Sequence, residues 1–230
     1  MNTRRALTSA TVVATTGLML VLTAFTARPG SDKKVTKTWT FEDTAVGKLP
    51  AGWKVEATNQ RGPLATWQVV ADTTAPSGKQ ALALTKITRA FGGTFNLCWT
   101  DSVSFLDGEI TVHFKAIKGE EDQGGGVVWR VRDKDNYYIS RANPLENNFR
   151  IYYVKEGARR TLASARIKLT HGVWYELKIA HHSNHIEGFL NGEKMLTTSD
   201  STFSRAGGVG LWTKADAETE FDDFALTLKK

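Results

Sequence analysis

Asp122–Tyr153 reads DQGGGVVWRVRDKDNYYISRANPLENNFRIYY, and the fold turns on how it is read. Val127, Trp129 and Val131 alternate with Val128, Arg130 and Arg132, and Phe149, Ile151 and Tyr153 alternate with Arg150 and Tyr152. Period-two alternation of β-branched and aromatic residues is the signature of strands with one packed and one wet face. With the Val127 and Phe149 sets inward, Arg130, Arg132, Arg150 and Tyr152 stand on the open face, joined by Tyr138 from the strand between. Arg141 has the opposite parity to Tyr138, so it joins them only if the strand ends or bulges near Ser140. The loop Arg141–Asn148 (RANPLENN) presents Asn143, Glu146, Asn147 and Asn148 at the rim, and Pro144 keeps that loop out of the sheet.

The same alternation runs outward in both directions. Thr38–Glu42, Trp67–Ala71, Ala81–Thr85, Phe95–Trp99 and Gly108–Ala116 read as strands before the central stretch. In the last of these Ile110, Val112, Phe114 and Ala116 share one face. After it, Val173–Ala180 pairs with Ile186–Leu190 across a polar turn at Ser183–His185, and Asn191-Gly192 marks a further tight turn. Thr161–Leu169 is ambiguous. Gly207–Trp212 and Glu220–Leu228 close the chain. Trp212 lies out of phase with Val209 and Leu211 and so reaches the open face with Lys214. No helical period is sustained over about 11 residues anywhere. About a dozen short strands and no internal repeat predict an all-β, two-sheet antiparallel jelly-roll sandwich.

The 230 residues and 41% hydrophobic content suit one large all-β domain with a substantial core. Residues 1–27 have the form of an export signal, or of an uncleaved anchor: Arg4 and Arg5, an uncharged and mostly apolar run from Val12 to Phe25, then Thr26 and Ala27. That run is short of the roughly 20 apolar residues of a membrane span. Residues 28–37 are expected to be a linker, 38–230 the domain, and the mature protein periplasmic or secreted from a bacterial-type cell. Without residues 1–27 the formal charge falls from +6 to +4, with 28 Lys and Arg against 24 Asp and Glu. No Lys/Arg run accompanies it, which argues against nucleic acid as a partner.

A sugar needs flat apolar surfaces for its C–H faces and two-armed hydrogen bonders for its vicinal hydroxyls. Arg130, Arg132, Tyr138, Arg141, Asn143, Asn148, Arg150, Tyr152, Trp212 and Lys214 supply both, and Glu146 is the candidate acid/base. The alternative is that the arginines and tyrosines are cross-strand partners of acidic residues on a solvated sheet. Glu42, Asp43, Asp222 and Asp223 would meet if the first and last strands pair, giving oxygen ligands for a structural Ca²⁺. No other cofactor is called for. His181, His182 and His185 flank a turn; Cys98, the single cysteine, excludes an intrachain disulfide and reads as a buried thiol. There is no Gly-x-Ser-x-Gly elbow and no HExxH.

Three segments carry a resemblance: Phe41-Glu42-Asp43 with Gly47, Leu49-Pro50 and Gly52-Trp53; the hairpin from Trp174 to Gly192; and GVGLWTKAD (Gly208–Asp216) with Phe221–Phe224. Together they resemble the concanavalin A-like lectin/glucanase superfamily, and within it the 3-keto-disaccharide hydrolase-like group of exported bacterial proteins. The resemblance covers 38–230 and implies a jelly roll with a glycan on its concave face. The acidic strand pattern of the retaining glucanase branch finds its nearest match in Glu218, Glu220 and Asp222, in altered order and on the last strand. Three functions are therefore expected: carbohydrate binding, glycoside hydrolysis or elimination of the 3-keto-disaccharide type, or a laminin-G-like adhesion or structural role. The sugar and the oligomeric state stay open.

Overall fold

The computed structural model describes residues 35–87 and 91–228. Residues 1–27, expected to be an export signal, and residues 28–34 of the expected linker lie outside these. Fifteen strands, and no helix among the described residues, follow in order. They are β1 (Val35–Trp39), β2 (Lys54–Thr58), β3 (Thr66–Ala71), β4 (Gln80–Lys86), β5 (Phe95–Phe105), β6 (Gly108–Lys118), β7 (Gly125–Asp133) and β8 (Asn136–Asn143). The rest are β9 (Asn148–Lys155), β10 (Ala158–Arg166), β11 (Trp174–His182), β12 (His185–Leu190), β13 (Glu193–Ser199), β14 (Gly207–Lys214) and β15 (Glu218–Leu228). Of the ambiguous Thr161–Leu169, Thr161 to Arg166 thus belong to a strand that begins at Ala158, and Ile167 to Leu169 lie beyond its end. The expected linker also ends earlier than expected, because Val35, Thr36 and Lys37 pair with Leu228, Thr227 and Leu226. In turn, the strand expected at Thr38–Glu42 stops at Trp39: Phe41 takes a left-handed φ of 62°, which turns the chain out of the sheet.

All strands pair antiparallel in two sheets. One runs β13-β12-β11-β6-β15-β4-β3 with β1 added against β15, and the other runs β10-β9-β8-β7-β14-β5-β2. The hairpin turns use the residues such turns demand. Glu156-Gly157 and Asn191-Gly192 both place two successive positive φ values between paired strands, the geometry that matches strand twist. Gly126 has a different reason: a Cβ there would lie 1.8 Å from the Ser140 carbonyl oxygen, so only glycine lets β7 close on β8.

Between the sheets lies the main core, to which both contribute. Phe114, Leu177, Ile179 and Phe221 come from the first sheet, and Val127, Trp129, Tyr138, Phe149, Ile151, Val209 and Leu211 from the second. Burying each such side chain contributes about 1.5–3 kcal/mol relative to leaving it in water. A second apolar cluster of Phe95, Leu97, Trp99, Val128, Val131, Tyr137, Ile139, Tyr152, Val154 and Trp212 draws on the seven-stranded sheet alone. It is the outward face of that sheet, and strand alternation requires it: each of these residues has the opposite parity to its core-facing neighbours, except Val131, which an irregularity at Arg130 carries over to this face.

Candidate functional site

The outward face of the seven-stranded sheet carries a polar network on that second apolar cluster. Asp122 sits just ahead of β7. Its position is fixed by Asp216, whose carboxylate accepts the backbone N–H groups of Glu120, Glu121 and Asp122 at 2.7, 3.1 and 2.9 Å. The Asp122 carboxylate is fully buried and accepts both 2.8 and 3.0 Å bonds from Arg141 NH1, a 2.9 Å bond from Asn143 Nδ2 and the Lys214 ammonium at 3.2 Å. Arg141 NH2 continues the chain, donating to Glu146 Oε2 at 2.7 Å and Asn148 Oδ1 at 3.0 Å. Asn148 Nδ2 donates to the same Glu146 oxygen at 2.8 Å, and Arg150 NH1 lies 3.4 Å from it. Arg150 Nε donates to Ser164 on β10. Backbone N–H groups of Leu145 and Glu146 bond to Asn143 Oδ1, which closes the turn and aims Glu146 back at the strands.

Cross-strand register explains why the network needs its acids. Arg141 of β8 stands directly opposite Arg150 of β9, and two like charges so placed repel. Glu146 lies between them and binds both. Burial works to raise its pKa, but the bonds from Arg141 and Asn148 outweigh that and bring the value down to about 2. Such a group is an ionised acceptor at neutral pH rather than a proton donor. Asp122 goes the other way: burial raises its pKa despite the Arg141 and Lys214 charges.

Beneath these groups Tyr152 and Trp212 are buried, covered by Arg159 of β10, whose guanidinium lies 4.5 Å from the Tyr152 ring, 5.0 Å from Phe95 and 5.9 Å from Trp212. Tyr152 and Trp212 are therefore the floor under a guanidinium and not themselves an open stacking surface. Two buried donors, Arg141 Nε and Arg159 NH1, have no partner among the described residues. Next to Glu146 a cleft of about 560 Å³ opens, lined by Glu146, Asn147, Arg166, Ile167 and Lys168.

Of the residues expected at one site, Arg141, Asn143, Glu146, Asn148, Arg150, Tyr152, Trp212 and Lys214 lie together. Arg130, Arg132 and Tyr138 do not. Arg130 has a left-handed φ of 48° and is a bulge in β7, so Val131 pairs with Gly208 and Trp129 with Val209. The bulge breaks the assumed parity. Arg130 turns to the end of the sheet, donating to the carbonyls of Leu106, Phe203 and Ser183, and Arg132 lies over the Phe203 ring. Tyr138 faces the inter-sheet core, stacked on Trp129 with its hydroxyl on Asp200. Arg141 needs no irregularity to reach the face, since β8 simply has the parity opposite to that assumed.

Sequence reading missed Asp122 as the partner of Arg141, along with Tyr137, Arg159 and Arg166. For Arg159 and Arg166 a signal existed: continuing the β9 alternation back across Glu156-Gly157 puts Arg159 on the Tyr152 face. A bulge between Thr161 and Ala163 then keeps Ser164 and Arg166 on that face too, opposite Arg150 and Asn148.

The proposed calcium ligands do not gather. Glu42 accepts the N–H groups of Lys79 and Gln80, and Asp222 accepts those of Ser77 and Asp223. Asp223 faces His113 at 3.5 Å, and Asp43 is exposed beside Thr44. No group of three or more His, Cys, Asp or Glu able to hold a metal occurs among the described residues. Bound to backbone donors, these carboxylates brace a loop. Glu218 and Glu220, the glucanase-like pair, lie in the other sheet on Lys118 and Lys115. Cys98 is buried, which pushes its thiol pKa well up.

A two-sheet antiparallel jelly roll with a charged hydrogen-bonding network on one sheet face defines a lectin-like sandwich of the concanavalin A-like type. The chain belongs to the 3-keto-alpha-glucoside-1,2-lyase-like domain family, whose model matches residues 40–227. Among solved structures the chain is similar to the carbohydrate-binding module CBM66 from Bacillus subtilis, with TM-score 0.59, 19% identity, and coverage of 76% of this chain and 95% of that one. It is also similar to a Bacillus subtilis protein of unknown function with a galectin-like fold, with TM-score 0.55, 15% identity and coverage of 77% and 90%. The cellulose-induced protein Cip1 matches with TM-score 0.55, 15% identity and coverage of 83% and 95%. At these identities the likeness is one of fold. No curated protein matches the chain. Among the described residues no helix is long and apolar enough to cross a membrane.

Proposed function

We propose that this chain is a carbohydrate-binding jelly roll that holds a glycan or glycoside in the cleft between Glu146-Asn147 and Arg166-Lys168, with Arg150 beside Glu146. One observation carries the reading: Asp122 ahead of β7, Arg141 on β8 and Glu146 in the loop to β9 form a continuous, largely buried ion network, and it opens on that cleft. Fixed planar donors at the edge of a cavity are what vicinal hydroxyls recognise. The fold shared with a carbohydrate-binding module supports it. Isothermal titration against a glycan panel tests it: wild type binds at least one oligosaccharide, and Arg150→Ala loses about tenfold or more in affinity with its thermal midpoint unchanged. A panel without a binder sinks the reading and brings forward an adhesion or structural role.

The family match favours a second reading, cleavage of a 3-keto-glucoside. Its candidate acid/base is Glu146, which is ionised and, with its pKa brought down to about 2, a weak base until substrate binding loosens its hold on Arg141. Product formation from a 3-keto-disaccharide that vanishes in Glu146→Gln supports catalysis; binding without turnover leaves the pure-binding reading. For the N-terminal 27 residues we propose export to the periplasm or beyond. N-terminal sequencing of protein from the extracytoplasmic fraction checks this, and an intact Met1 in a purely cytoplasmic pool excludes it.

A further inference from the structure

We propose that the glycan held at this site is acidic, recognised through a sugar carboxylate seated in the cleft between Glu146-Asn147 and Arg166-Lys168, an inference that rests on the glycan-binding reading above. Hydrogen-bond accounting at the site leads to it. Three of the network's four carboxylate oxygens are firmly engaged by the protein's own cations and amides: both of Asp122 by Arg141, Asn143 and Lys214, and Glu146 Oε2 by Arg141, Asn148 and Arg150, while Glu146 Oε1 has only a 3.5 Å contact from Arg141. The amide oxygens are taken as well, that of Asn143 by two backbone N–H groups and that of Asn148 by Arg141. Beside that one loosely held acceptor, the unfilled capacity lies in donors. Arg141 Nε and Arg159 NH1 have no acceptor among the described residues, and guanidinium nitrogens can only donate.

A neutral hydroxyl is best met by a donor and an acceptor together, whereas a carboxylate asks only for donors. The charge balance agrees. Arg141, Arg150, Arg159 and Lys214 face two carboxylates on the sheet, so two positive charges are left over. The cleft extends that excess. Arg166 is held on the site's face by the β10 bulge and Lys168 follows it; both are exposed, and neither pairs with an acid among the described residues. Acidic residues do lie at the far end, where Glu120, Glu121 and Asp216 cluster, but Asp216 is occupied by three backbone N–H groups. The field is therefore directional, positive at the β8–β10 end. The like-charge repulsion of Arg141 on Arg159, which adds to burial in lowering the Arg159 pKa, is relieved by an anion placed there.

The test uses trisaccharides of galacturonate, glucuronate and mannuronate, each titrated beside its methyl ester, with neutral and sulfated oligosaccharides as further arms. At least one free acid is expected to bind about tenfold or more tightly than its ester, with the advantage shrinking as salt rises. The double variant Arg166→Ala/Lys168→Ala, which leaves the buried network untouched, is expected to erase the difference while ester binding persists. Equal binding of acid and ester, or binding of neutral glycans alone, overturns this inference and leaves the glycan reading standing. Preference for sulfated sugars over every uronate also overturns it. Failure of all arms removes both.

Discussion

Arg130 and Arg141 stand on adjacent strands of one sheet, both almost wholly buried, and they do opposite work. Arg130 donates to three backbone carbonyls from three separate loops, with Asp107 3.4 Å away. Arg141 is bound by two side-chain carboxylates and keeps a donor unfilled. Burial opposes both charges. At Arg130 it prevails and lowers the pKa, whereas at Arg141 the Asp122 and Glu146 charges outweigh it and raise the pKa. A buried arginine is thus no signal of function in itself; its partners decide. Backbone carbonyls make a clamp that ties loops together, and carboxylates at a cleft make the site proposed for recognition.

The sharpest way to break that contrast is to remove Asp122. Asp122→Ala strands part of the Arg141 charge in a dry site and is expected to cost about 3–5 kcal/mol, read from urea unfolding. A loss below about 1 kcal/mol would mean that the network is solvated and that Arg141 resembles a surface residue. Next, Arg130→Met leaves buried carbonyls unsatisfied and is expected to cost about 2–3 kcal/mol while glycan affinity stays at the wild-type value. Loss of affinity without loss of stability would move Arg130 into the site.

His181, beside the Arg130 clamp, gives a pH test of that region. Its Nδ1 accepts from Trp129 Nε1 at 2.9 Å, and burial, then the Arg130 charge, bring its pKa down from 6.5 to about 3. The unfolded chain takes up this proton below about pH 6.5 and the folded protein does not, so stability falls with acidification. The expected contribution is about 1.4 kcal/mol per pH unit between those two values, and His181→Gln should flatten the slope. The smallest stability effect belongs to Glu146→Gln, within about 1 kcal/mol, because Glu146 is more than a third exposed. Its glycan affinity is nevertheless expected to fall about tenfold. The folded pKa of about 2 lies below the ordinary 4.5, so the Glu146 ion pair contributes fully above about pH 4.5 and fades as pH falls toward 2.

Much of the architecture was legible because it rests on local periodicity. Alternation in Val127–Val131 and Phe149–Tyr153, and the turn chemistry of Asn191-Gly192, express sterics that act within a few residues. The site was legible in part for the same reason: Arg150 and Tyr152 follow directly from the β9 alternation, and Asn143, Glu146 and Asn148 from the loop. Arg130 and Arg132 were not, because one bulged residue reverses the side chains beyond it, and Tyr138 was not, because register sets it opposite the core-facing Trp129. The sign of that reversal depends on how β7 meets β14 and β8.

By itself, then, the sequence determined an antiparallel two-sheet sandwich, Arg150 on an outward sheet face, and a chain without an intrachain disulfide. Only the tertiary structure decided which arginines share that face, that Asp122 neutralises Arg141, that Arg159 covers the aromatic floor, and that Glu42 and Asp222 accept backbone N–H groups of the Ser77–Gln80 turn. The physical reason is distance along the chain. Alternation is set between neighbours, whereas an ion pair such as Asp122–Arg141 or Asp122–Lys214 depends on register between strands that meet only when the sheet closes.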